Sequence, residues 1–134
     1  MIQTKRIYSK PVARDGIRIL VDRVWPRGMS KARARIVEWR KDLAPSTSLR
    51  KWFGHDPARW AEFRRRYRVE LKGSGPRQAL KKLARLSTRR TLTLVYSAAD
   101  QEHNQAVALK TFLEESASRG RREHRRSRNT KPAT

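Results

Sequence analysis

Apolar positions along the chain fall into short runs and spaced stripes rather than long blocks. Residues 4–8 (TKRIY) predict a short strand, and Lys10-Pro11 and Asp15-Gly16 then mark a loop and a turn. Residues 17–23 (IRILVDR) predict a better strand. Their Ile-Leu-Val centre is apolar on both faces, as in a central strand covered from both sides. Trp25-Pro26-Arg27-Gly28 breaks that strand. Ser30 then suits the N-cap of a helix over 31–41, with Ala32, Ile36 and Trp39 on one face. Pro45-Ser46 opens a short helix, 47–53, that Gly54 can end. The clearest helix follows Asp56-Pro57, with Trp60, Phe63, Tyr67 and Leu71 in one stripe at spacings of 3, 4 and 4. That stripe reads as core rather than as a base-stacking platform. Gly73-Ser74-Gly75-Pro76 separates it from a helix over 76–87 carrying Leu80, Leu83 and Leu86. Residues 91–96 (TLTLVY) predict a second good strand. Asp100 suits the cap of a last helix over 101–117, with Ala106, Leu109, Leu113 and Ala117 on its inner face.

The long crossover between the strands at 17–23 and 91–96 suits a parallel pair. The pattern therefore predicts a single α/β domain over 1–118: a small, largely parallel sheet of about three strands covered by helices. A length of 134 residues suits one domain, and no internal repeat is visible.

Charge changes this picture. The chain carries 34 Lys and Arg against 12 Asp and Glu, a net +22. Residues 119–134 hold seven basic residues and one acid, with Ala133 as the only apolar side chain. Such a segment buries too little surface to offset the entropy of ordering, so composition marks it as a disordered tail. The body is basic too, and a surface of this sign attracts polyanions, nucleic acid first. Arginine outnumbers lysine 24 to 10, which a GC-rich genome produces without any binding role. There is no cysteine, hence no thiol nucleophile, cysteine metal site or disulfide. No apolar run approaches the ~18 residues of a membrane span, and Met1 to Arg6 carries no secretory signal pattern, so the expected compartment is the cytoplasm.

In a parallel sheet, ligands gather beyond the carboxyl ends of the strands. Two segments meet that description: Asp22 to Gly28, and Tyr96 to Asn104. Arg23 and Arg27 are typed to hold phosphate or carboxylate, and N–H groups at 101–103 would complete an anion cradle at a helix start. Ser97 and Asn104 can donate, and His103 is the candidate acid or base. Asp22, Trp25, Tyr96 and Asp100 would support this site. Each also has a structural reading: Asp22 and Arg23 as an ion pair, Asp100 as a cap, His103 as a polar surface residue. A nucleic-acid surface would instead use Arg64, Arg65, Arg66 and Arg68 on the long helix, with Arg121, Arg122, Arg125 and Arg126 in the tail. A purely structural or interaction role is the third reading. No P-loop, dinucleotide fingerprint, zincin motif, nucleophile elbow or helix-turn-helix signature occurs. His55, His103 and His124 lack local metal-ligand spacing, so neither a metal nor another cofactor is expected.

The runs LVDRVWPRGMSK, EWRKDLAPSTSLRKWFGHDPARWAEFRRRY and LVYSAADQEHNQAVALKTFL resemble the YeaO-like branch of a bacterial family known as domain of unknown function 488. The likeness covers roughly residues 4–115, and WPRG, KDLAPS and WFGHDP are its most specific motifs. It implies a compact α/β domain and no particular reaction. It also implies a shared set of residues that adds Gly28, Arg50, His55 and Asp56 to those named above. Other branches resemble the segment from Tyr96 to Asn104 but carry a pair of cysteines followed by His-Arg. Here Tyr96, Glu102 and Asn104 replace all but His103, so the resemblance implies no thiol mechanism.

Overall fold

The computed structural model describes residues 1–129. Its centre is a strand, β4 (Leu92–Tyr96), buried at all five positions. Parallel neighbours flank it: β1 (Ile2–Arg6) on one side and β2 (Ile17–Leu20) on the other. Ile2 and Ile17 both stand opposite Leu92, so the three strands start level. A two-residue strand, β3 (Glu38–Trp39), completes the order β1-β4-β2-β3. The α/β class and the parallel sheet agree with the sequence pattern, with one strand more than the three expected. Among the described residues no helix is long and apolar enough to cross a membrane.

The helix expected over 31–41 forms only in its first turn, and the chain then leads into that extra strand. Ser30 does cap a helix, accepting from the Arg33 N–H at 3.1 Å, but α1 spans only Lys31–Ala34. Arg35 then turns left-handed (φ 48°) and the chain runs along the open edge of β2. There the N–H groups of Val37 and Arg40 donate to the carbonyls of Arg18 and Leu20, at 2.9 Å each. Four helical residues hold little against an unfilled sheet edge, and β-branched Ile36 and Val37 favour the extended form.

Four further helices lie on one face of the sheet: α2 (Thr47–Phe53), α3 (Trp60–Glu70), α4 (Ser74–Ser87) and α5 (Gln105–Asn129). Alternation along the strands sorts the side chains. Leu92, Leu94 and Tyr96 of β4 join Ile19 and Val21 beneath these helices. Val95 and Leu20 point to the opposite face, where Ile7, Ala34, Trp25 and Trp39 cover them. Thr93 shares that face and donates its hydroxyl proton to the Asp15 carbonyl at 2.6 Å.

The stripe on α3 is core, as its spacing predicts. Phe63, Tyr67 and Leu71 are buried, and the Phe63 ring stacks on Phe53 at 4.4 Å. Trp60 is only half-buried. The Tyr67 hydroxyl donates to the Leu43 carbonyl, and burial pushes its pKa far above the ordinary phenol value. Asp56 and Pro57 begin the segment as expected, but as a 3-10 turn (Pro57–Arg59), with Ala58 N–H donating to Asp56 at 3.0 Å.

The last helix departs from expectation at both ends. Its cap is Asn104, whose Oδ1 accepts from Val107 N–H at 3.0 Å, and Asp100 holds the preceding turn instead. Its inner stripe of Ala106, Leu109 and Leu113 is buried. Beyond 117 the helix continues to Asn129, so residues 119–129, marked as disordered by composition, are helical. Arginine is a good helix former, and between 105 and 129 the sequence holds no proline and a single glycine, Gly120. The packed first half of α5 supplies the nucleus from which these residues extend. Residues 130–134 of that tail lie outside the described residues.

On the face opposite α2 to α5, Arg18 and Asp15 form a buried ion pair at 2.8 Å, and Lys5 reaches the same carboxylate at 3.1 Å. Burial pushes the Asp15 pKa up, but the Val12 N–H, Lys5 and Arg18 outweigh it and hold it below the ordinary value. Removing one partner of such a pair strands the other. Asp15→Ala is therefore expected to destabilise the fold by about 3–5 kcal/mol in urea denaturation. A depressed folded pKa also means that Asp15 stabilises the fold above the unfolded carboxylate range and loses that effect as pH falls through the folded value. An acid titration of stability should show this loss in the wild type and not in Asp15→Asn. For the aromatic stripe, Phe63→Ala is expected to cost about 3–5 kcal/mol, and Trp60→Ala clearly less because its ring is half in water already.

Candidate functional site

Parallel pairing brings the ends of β2 and β4 side by side, with Val21 N–H donating to the Val95 carbonyl at 3.0 Å. The chain beyond each strand lines a concavity of about 620 Å³. Asp22, Arg23, Trp25 and Arg27 come from one loop, and Ser97, Asp100, His103 and Asn104 from the other. The residues proposed from sequence for an anion site thus share one cavity. Tyr96 is the exception. It is buried among the helices, where burial pushes its hydroxyl pKa up and the Asn104 side chain opposes the shift.

Several of these side chains are engaged differently from expectation. Asp22 does not pair with Arg23. Its buried carboxylate accepts from Ser97 N–H at 3.1 Å and from the Gln105 amide at 2.5 Å. Burial pushes its pKa up, against the pull of Ser97, Gln105 and the Arg50 charge. Arg23 donates to the carbonyls of Pro45 at 3.1 Å and Ala44 at 3.3 Å, fixing the loop that leads into α2. The N–H groups of Glu102 and His103, expected to cradle an anion, donate to Asp100 Oδ1 at 2.9 and 3.0 Å. Those bonds, with the His103 ring, hold the Asp100 carboxyl below its ordinary pKa. In both places the protein supplies its own carboxylate where a bound anion was expected.

His103 is well positioned. Its Nδ1 meets Asp100 Oδ2 at 3.0 Å, and its ring stands edge-on to Trp60 at 5.4 Å. Asn104 spans the turn, donating to the Asp100 carbonyl at 2.9 Å while capping α5. Trp25 donates from its indole to the Met29 carbonyl at 2.6 Å and forms an edge contact with Trp39. Tyr8 donates to the Arg27 carbonyl at 3.0 Å.

Arg27 and Arg50 both line the cavity, and among the described residues neither guanidinium has a hydrogen-bond partner. Arg50 and His55 come from α2 and the turn after it, where Gly54 and His55 are both left-handed. The family resemblance pointed to these two, whereas their spacing did not. Tyr8, Phe53, Phe63 and Gln105 also line the cavity, and no sequence signal marked them as site residues. Among the described residues, no three His, Asp or Glu side chains converge as metal ligands would.

The arginines of α3 are largely tied down. Arg65 and Arg66 pair with Glu62 at 2.6 and 3.1 Å, holding its carboxyl pKa down at about 2. Arg66 also lies over Trp52, and Arg64 over Trp60. Arg68 reaches across to Glu115 on α5 at 2.8 Å and covers the Phe112 ring. Arg121, Arg122, Arg125 and Arg126 are exposed on the distal part of α5, far along the chain from the cavity.

The chain is similar to uncharacterised bacterial proteins. It is 43% identical over 112 residues to the uncharacterised protein YeaO of Escherichia coli, covering 84% of this chain and 96% of that one. An uncharacterised protein of Mycobacterium tuberculosis (strain H37Rv) is 38% identical over 112 residues, covering 84% of this chain and 92% of its own. No solved structure matches the chain. The family model described as the inactive DUF488-N3 subclade matches residues 1–132. With that match and the likeness to YeaO, the chain belongs to the YeaO-like DUF488 family, in its inactive N3 subclade.

Proposed function

We propose that the cavity at the strand ends binds a small organic anion and does not turn it over. The observation that carries this reading is the pair of guanidiniums, Arg27 and Arg50, that line one cavity without a protein acceptor among the described residues. Val24, Trp25, Pro26, Phe53 and Phe63 supply apolar walls, and about 620 Å³ suits a small molecule. The ligand therefore carries a carboxylate or phosphate group on an apolar body. The arginines take its charge, since guanidinium matches both groups with paired bonds. His103, oriented by Asp100, offers its other ring nitrogen as a polar contact. A binding role without turnover also fits a subclade described as inactive.

Asp22 sets the pH response. Its folded pKa lies above the unfolded value, so its contribution to stability is present below the unfolded carboxylate range and fades as pH rises through the folded value. The same ionisation places a negative charge in the cavity wall and opposes an anionic ligand.

Binding of benzoate and phenyl phosphate, followed by calorimetry and by the His103 ring signals in NMR, tests the proposal. Saturable binding that shifts those signals is the expected result. Arg27→Ala and Arg50→Ala should each weaken it by about 10- to 100-fold, the worth of a charge-assisted hydrogen bond. Asp22→Asn should tighten it and flatten its weakening with rising pH. No binding of either anion, or binding unchanged by both arginine variants, overturns the proposal.

A further inference from the structure

Among the described residues, a row of exposed cations without an ion-pair partner lies on α4, away from the Arg-Arg-Arg run of α3. Between Glu70 and Asp100 the chain has no acidic residue. Arg77, Lys81, Lys82 and Arg85 of α4, with Arg89 and Arg90 in the turn after it, are all exposed. Among the described residues none of these side chains has a hydrogen-bond or ion-pair partner, in contrast to Arg65, Arg66 and Arg68 of α3. Arg77, Lys81 and Arg85 stand four residues apart on one helix face, where like charges repel. Arg77 also lies near the start of α4, where the helix dipole disfavours a cation. No contact among the described residues offsets this arrangement.

Topology joins this face to a second basic element. The strands are parallel, and α4 leads into β4 while α5 leaves it. Both helices therefore run opposite to β4 and side by side, and they pack against each other. Both helices run toward the end of the sheet opposite the cavity, and the longer α5 continues past the end of α4. Past Ser118, α5 is exposed on every side through Arg126, with Arg121, Arg122 and Arg125 against the single acid Glu123. Residues 119–129 extend the helix by about 16 Å.

We propose that the exposed face of α4 and the distal part of α5 form one surface that binds duplex DNA without sequence preference. Guanidinium and ammonium groups match the phosphate backbone, and counterion release supplies the driving force. Residues 72–90 and 118–134 contain no Phe, Tyr or Trp, so the surface lacks the stacking platform of a single-strand binder. The distal helix has no apolar side chain among residues 118–126, unlike a helix that lies in a membrane surface. A bare α-helix fits the wide major groove of B-form DNA and not the deep, narrow one of A-form RNA.

The test is fluorescence anisotropy of a labelled 20-base-pair DNA duplex with the full chain, over a range of salt concentrations. The triple variant Lys81→Ala/Arg85→Ala/Arg89→Ala should bind at least tenfold more weakly near 0.1 M salt. Its slope of log affinity against log salt should be shallower by about 2.7, or ~0.9 for each lost phosphate contact. Arg121→Ala/Arg122→Ala/Arg125→Ala should act in the same direction. A control of equal charge, Arg14→Ala/Lys31→Ala/Arg33→Ala, should change neither quantity by more than twofold. Alanine favours helix at these exposed sites, and circular dichroism confirms that each variant is folded. The proposal is overturned if the control weakens binding as much as the α4 variant, or if duplex RNA or single-stranded DNA of equal length binds as tightly. Equal competition by polyglutamate would overturn it too, and would assign the face to an acidic protein. Arg27→Ala should leave DNA binding intact, so this result and the fate of the small-anion site are read separately.

Discussion

Everything in this fold is referred to β4. A strand with neighbours on both edges and side chains packed on both faces has no freedom to slide, because a one-residue slip would exchange its two faces. Leu92, Leu94 and Tyr96 are committed to the helical side, and Val95 to the other. The Thr93 hydroxyl is satisfied in that setting because it reaches the Asp15 carbonyl. Fixing β4 fixes where β1 and β2 start, and so where the chain after each strand emerges. The cavity is a consequence: its two loops are adjacent because the strands beneath them are adjacent and parallel.

Twelve acidic residues in a chain of net +22 leave each acid with a choice of partners, and their placement shapes the surface. Asp15 pairs with both Arg18 and Lys5 on the sheet face opposite α2 to α5. Glu62 and Glu115 tie the α3 arginines to α3 itself and to α5. Asp22 and Asp100 accept N–H groups at the cavity, where they stand in for the anion that such groups often bind. Glu70 accepts the Ser46 N–H at 2.8 Å and its hydroxyl at 2.5 Å, holding α2 to the end of α3. None of the acids lies between residues 71 and 99, and the exposed cations of that stretch therefore present their charge to the solvent.

Local pattern made much of this structure legible. The Trp60-Phe63-Tyr67-Leu71 spacing marks a helix whatever surrounds it, and Ser46 and Gly54 bound α2 by capping chemistry that acts within a few residues. The apolar runs at Ile19-Leu20-Val21 and Leu92 to Tyr96 are short, β-branched in part and bounded by turn residues, the mark of strands covered on both faces. The long connection between them allows a parallel pair, and from that alone the two loops that carry the cavity could be named.

What the sequence by itself determined is thus the α/β class, the central strands, most helices and the end of the sheet where the cavity lies, because these follow from periodicity, short-range capping and the long connection between the strands. Only the tertiary structure decided the rest. Glu38 and Trp39 became an edge strand because β2 offered unfilled carbonyls, a partner no local pattern contains. Asn104 displaced Asp100 as the cap once the turn before α5 had claimed the Asp100 carboxylate. Arg23 was drawn to the Ala44 and Pro45 carbonyls and Asp22 to Gln105, so among the described residues the arginines at the cavity without a hydrogen-bond partner are Arg27 and Arg50. Which charges are free depends on which acceptors reach them in space, and residues far apart along a chain supply those acceptors only after it has folded.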